Sequence, residues 1–131
     1  MPILGHGIDL VEIRRVGEIF DRHGERFLMR VFTTLEQAHS LPARRRVEHL
    51  AGRFAAKEAT LKALGTGLSH GIAWTDIEIR VLPSGQPTLR LHGQAESIAR
   101  TLGVREWHLS ISHSRDYAIA SVIAMGAESE P

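Results

Sequence analysis

Arg46 to Leu64, RVEHLAGRFAAKEATLKAL, decides how the chain folds. Val47, Leu50, Ala51, Phe54, Ala55 and Leu61 recur at i, i+3, i+4, i+7, i+8 and i+14, the spacing of one helix face, and Gly65 follows as a C-terminal stop. Wound at about 100° per residue, this helix places Glu58 near the centre of the apolar stripe and Lys62, one turn on, at its edge. An unpaired charge facing the interior is costly, so each needs a partner. A mutual i,i+4 ion pair is the plain solution; a bound ligand is the other.

Working outward, Ile3 to Asp9 reads as a strand running into a helix through Val16, Ile19 and Phe20. Short helical turns are expected at Glu25 to Val31 and Thr34 to Ser40. Beyond a Gly-containing loop, Thr66 to Trp74, the stretch Asp76 to Leu82 alternates as a half-exposed strand, and Pro83 to Pro87 turns it into Thr88 to Leu91 as a hairpin. Ala95, Ile98, Ala99 and Leu102 mark a helix ended by Gly103. Trp107 to Ser114 and Tyr117 to Ala124 form a last hairpin across Arg115 and Asp116. The expected fold is α+β: one domain over residues 1–131, with a long central helix on a mostly antiparallel sheet.

The 131 residues fit a single domain, and 43% hydrophobic with 24% charged residues is a globular balance. The longest apolar stretch, Tyr117 to Met125, is too short to cross a bilayer, so no membrane role is expected. With no cysteine, disulfides and thiolate metal sites are excluded. The opening MPILGHGIDL has no secretory pattern, and a cytoplasmic location is the expectation. A net charge of +1 argues against bulk attraction to nucleic acid, although residues 1–65 carry +3 and residues 66–131 carry −2.

Asp9 stands at the end of a strand otherwise hydrophobic, after Gly5 and Gly7. It serves either as an N-cap for the helix that follows or as a second carboxylate aimed where Glu58 points. Two carboxylates beside Lys62 suit an oxygen-only Mg²⁺ site that holds substrate phosphates. Arg15, Arg22 and Arg26 share a helical face suited to an acidic partner, or else a solvated face balanced by Glu18, Asp21 and Glu25. Arg44 to Arg46 read as a solvated cluster. Gly65, Thr66 and Gly67 offer backbone amides for a phosphate, or simply a C-cap. His113 lies among Ser110, Ser112 and Ser114, yet neither a G-x-S-x-G elbow nor an H-E-x-x-H pair is present.

In order, GIDLVEI (Gly7 to Ile13), GRFAAKEATLKALGTG (Gly52 to Gly67), WTDIEI (Trp74 to Ile79), SGQP (Ser84 to Pro87) and LSISHSRDYAIASVI (Leu109 to Ile123) closely resemble holo-[acyl-carrier-protein] synthases. These are the short bacterial type of 4′-phosphopantetheinyl transferase. The resemblance implies transfer of the phosphopantetheine arm of coenzyme A to a serine of apo acyl carrier protein in fatty acid biosynthesis. It implies Asp9 and Glu58 as Mg²⁺ ligands and Lys62 against the diphosphate. Arg53, Gly65, Thr66, Gly67, Gly85, Pro87, His113 and Ser114 are implied around coenzyme A, with Arg15, Arg22 and Arg26 as the carrier surface. A homotrimer with sites at subunit borders is implied as well. The alternatives are a transferase for polyketide or peptide synthetase carriers, and a non-catalytic module for acidic partners.

Overall fold

A computed structural model describes residues 1–38 and 42–127. In chain order they form β1 (Ile3–Glu12), α1 (Ile13–His23), α2 (Glu25–Val31), α3 (Thr34–Gln37) and α4 (Ala43–Leu64). A 3₁₀ turn (Trp74–Asp76) then leads to β2 (Ile77–Val81), β3 (Pro87–Leu91), α5 (Gly93–Leu102), β4 (Val104–His113) and β5 (Tyr117–Gly126). The strands make a three-stranded antiparallel sheet ordered β1-β5-β4 and a separate β2-β3 hairpin. This is the expected α+β architecture.

Small residues let α4 lie directly on the sheet. Ala51, Ala55, Ala56 and Ala59 on the helix and Ala118 and Val122 on β5 are fully buried. The closest approach is at β1, where a Cβ on Gly5 would stand 2.0 Å from the Ala63 carbonyl oxygen and one on Gly7 1.8 Å from that of Ala59. No side chain fits there, so strand backbone rests on helix backbone.

Several boundaries move. α4 begins at Ala43, after Pro42, whose fixed φ suits a helix start. β1 runs on to Glu12, which leaves Asp9 in mid-strand opposite Ala120. The N-cap role for Asp9 is therefore wrong; Glu12 holds that position, without a side-chain cap bond. α1 and α2 are separate helices, broken at Gly24 with φ +53, so the Arg15, Arg22 and Arg26 stripe spans a break. α3 ends at Gln37, and Ser40 lies outside the described residues.

The helical projection also misplaced the interior charge. Lys57 is completely buried, whereas Glu58 is half-buried and the Lys62 side chain is 54% exposed. The reason is that α4 is covered on two sides, by the sheet and by the 3₁₀ turn with β2, so its buried surface is wider than one apolar stripe.

Candidate active site

β1 and α4 together build a cleft of about 460 Å³ lined by Asp9, Glu12, Arg15, Phe54, Glu58 and Tyr117, among others. Strand alternation turns Asp9 to the α4 side, the side on which Gly5 and Gly7 admit the helix. Lys62 closes the arrangement: its Nζ donates to the Ile8 carbonyl at 2.9 Å and to Asp9 Oδ1 at 3.1 Å. The plain Glu58–Lys62 pair is thus replaced by an Asp9–Lys62 pair. Burial first, and the Asp9 charge second, push the Glu58 carboxyl above its usual range, with Lys62 and Arg15 pulling the other way. Two carboxylates crowd one cleft, an arrangement that a divalent cation relieves. Among the described residues no three His, Cys, Asp or Glu side chains gather into a ready-made cage, which leaves a two-carboxylate site open to other oxygen ligands.

The remaining expected residues are dispersed. Arg53 lines a second pocket of about 400 Å³ with Glu36, His49 and Arg80, where burial pushes its guanidinium down and Glu36 offsets part of the effect. Gly85, at φ +90, lies in the β2-β3 turn, and Pro87 opens β3 opposite Val81. His113 ends β4 with its Nε2 3.7 Å from Glu48, and the backbone N–H of Ser114 donates to the Tyr117 carbonyl within the β4-β5 turn. The expectation that Gly65, Thr66 and Gly67 present free amides fails, because all three N–H groups donate back to Leu61 or Lys62 carbonyls as the C-cap of α4.

Of the arginine stripe, Arg15 belongs to the carboxylate cleft. Arg26 lies with Arg30 on an adjoining groove of about 520 Å³ floored by Phe27, Val31, Phe54 and Trp74. Arg22 lines neither. None of Arg15, Arg22 and Arg26 forms a salt bridge among the described residues, so Glu18, Asp21 and Glu25 do not neutralise them as the solvated alternative required. Sequence reasoning missed Glu36, whose only signal was the Thr33–Glu36 capping-box spacing.

The model of the 4′-phosphopantetheinyl transferase superfamily matches residues 5–122. The chain belongs to this superfamily. It is 48% identical to the holo-[acyl-carrier-protein] synthase of Koribacter versatilis, over 92% of this chain and 97% of that protein. Against the Solidesulfovibrio magneticus holo-[acyl-carrier-protein] synthase it is also 48% identical, over 95% and 99%. Among solved structures, a Chronobacterium ammoniagenes ACPS–CoA complex superposes with TM-score 0.83 at 34% identity, covering 98% of this chain and 100% of that one. A Bacillus anthracis holo-(acyl-carrier-protein) synthase in complex with CoA (3′,5′-ADP) gives TM-score 0.79 at 37% identity, covering 95% and 98%. The cleft between β1 and α4 thus sits on a fold shared along nearly the whole length.

Proposed function

We propose that this chain transfers the 4′-phosphopantetheine arm of coenzyme A to a serine hydroxyl of apo acyl carrier protein. The single observation that carries the reading is the meeting of Asp9 and Glu58 in one cleft, with Lys62 bonded to Asp9 beside it. In the reaction the serine oxygen bonds to the phosphorus bearing pantetheine, the bond from that phosphorus to the bridging oxygen breaks, the serine proton is released, and adenosine 3′,5′-bisphosphate leaves.

Asp9 and Glu58 would hold Mg²⁺, which supplies positive charge against the diphosphate when bound. Lys62 adds a second cation at the same place, fixed by its bonds to Ile8 and Asp9. Arg53, Gly65, Thr66, Gly67, Gly85, Pro87, His113 and Ser114 bind the rest of coenzyme A, and Arg15, Arg22 and Arg26 receive the acidic carrier. Because those nucleotide residues are spread over one chain, a second copy completes the site. The outer face of the sheet supports this assembly: Ile8, Leu10, Tyr117 and Ile119 remain 37–62% exposed there, an apolar area typical of a self-association surface. A homotrimer acting in the cytoplasm for fatty acid biosynthesis follows from the same reading. The test is to incubate the protein with coenzyme A, Mg²⁺ and apo carrier and to weigh the carrier by mass spectrometry; a phosphopantetheine gain is expected, and an unchanged mass refutes the proposal.

A further inference from the structure

Lys57, the first lysine of FAAKEATLK (Phe54 to Lys62), has no part in the cleft chemistry, yet it is the most completely enclosed charge among the described residues. Lys57 Nζ donates to Glu36 Oε1 at 2.8 Å, to the Trp74 carbonyl at 3.2 Å and to the Ile77 carbonyl at 2.5 Å, which uses all three ammonium protons. The Phe32 ring lies 5.6 Å away. Glu36 is equally satisfied: Oε1 also accepts from the Thr33 N–H, and Oε2 accepts from the Ile79 N–H, each at 2.8 Å. Both side chains are fully buried. One ion pair therefore ties together α3, α4, the 3₁₀ turn and β2.

We infer that Lys57 is a positioning residue for the transfer reaction, fixing the rotation of α4 about its own axis so that Glu58 and Lys62 face Asp9. Glu58 is its immediate neighbour, and Lys62 follows five residues on. The sheet side of α4 holds the helix through the Gly5 and Gly7 contacts with Ala63 and Ala59. Those contacts set how near β1 comes, and Lys57 grips another side, so that the helix cannot roll. Side-chain tips stand about 5–6 Å from a helix axis, so a roll of about 10° carries a carboxylate ~1 Å. A misplacement of that size costs on the order of 100-fold in rate. A buried pair is in general a poor source of stability, whereas its hydrogen-bond geometry is stringent, which suits a locating function.

The inference rests on the proposed transferase reading, and the experiment separates the two. Lys57→Met keeps the volume and removes every donor; Glu36→Gln weakens the same clamp from the other end. Leu89→Ala, in β3, serves as a control that lowers the melting temperature while leaving both side chains of the ion pair in place. All are measured well below their melting temperatures, with turnover expressed per folded molecule and with Mn²⁺ binding followed by electron paramagnetic resonance. Lys57→Met and Glu36→Gln should lose at least 30-fold in kcat and bind Mn²⁺ at least 5-fold more weakly, Lys57→Arg should recover part of both, and Leu89→Ala should match the wild type in both. Wild-type turnover in folded Glu36→Gln or Lys57→Met, or an equal loss in Leu89→Ala, overturns the positioning role. If Lys57→Met does not fold, Glu36→Gln decides. Unaltered Mn²⁺ binding in Glu58→Gln would instead refute the metal reading, while the kcat comparison would still judge Lys57.

Discussion

Lys62 and Asp9, 53 positions apart in the chain, meet through a hydrogen bond of 3.1 Å, and the same ammonium holds the Ile8 carbonyl at 2.9 Å. A cation from the last turns of α4 is thereby fixed over β1, beside the carboxylate cleft.

Replacing Lys62 by Ala should therefore affect catalysis much more than folding. The side chain is 54% exposed, and an ion pair so open to solvent contributes roughly 0–1 kcal/mol. The melting temperature should stay within about 4 °C of wild type, while kcat/KM for coenzyme A falls at least 50-fold. Steady-state kinetics together with thermal denaturation check this.

Arg15 lines the carboxylate cleft and is free of any salt bridge among the described residues. Arg15→Glu should raise KM for the carrier at least 10-fold and leave KM for coenzyme A within about 3-fold. Added salt should weaken the wild type more than the variant, because the variant keeps only the Arg22 and Arg26 part of the attraction. Equal effects on both substrates would place Arg15 elsewhere in the mechanism.

The backbone contact between β1 and α4 makes a prediction about stability alone. A methyl group on Gly7 would stand 1.8 Å from the Ala59 carbonyl oxygen, with no flexible side chain to yield. Gly7→Ala should cost on the order of 3 kcal/mol, by overpacking. Gly85→Ala meets no neighbouring atom but sits at φ +90, and its smaller cost should come from backbone strain alone. Denaturant titration of both variants compares them.

Acid should weaken the fold partly through Glu78. Burial alone would raise its carboxyl, but hydrogen bonds with Thr33, Arg80 and His92, together with the Arg80 charge, hold it below its ordinary value of 4.5. In the unfolded chain Glu78 takes up its proton at the ordinary value, so its stabilising effect is complete above pH 4.5 and disappears as the pH falls through the lower folded value. Glu78→Gln should flatten the acid limb of the stability curve below that pH. An unchanged limb contradicts the assignment.

Much of this was readable in the chain, and the exceptions are instructive. Val47 to Leu64 announced α4 because helical periodicity is a local property, and the hairpin over Arg115 and Asp116 announced β4 and β5 for the same reason. Asp9 and Glu58 were legible as misplaced carboxylates. Lys57 and Glu36 were not, since the covering of α4 on a second side depends on where β2 and the Trp74 turn settle, which no window of sequence contains. The roles of Gly5 and Gly7 were equally hidden: the meeting of two backbones is long-range. Gly65 caps α4 because helix carbonyls need partners within the chain itself, so contact of this loop with coenzyme A runs through groups other than the three N–H donors.

The central claim is tested most directly by the mass of apo carrier protein after incubation with coenzyme A and Mg²⁺, using wild type and a folded Glu58→Gln variant in parallel. The account predicts a phosphopantetheine gain with wild type and at least a 100-fold slower gain with the variant. No gain with wild type, or an equal rate with both, would contradict it.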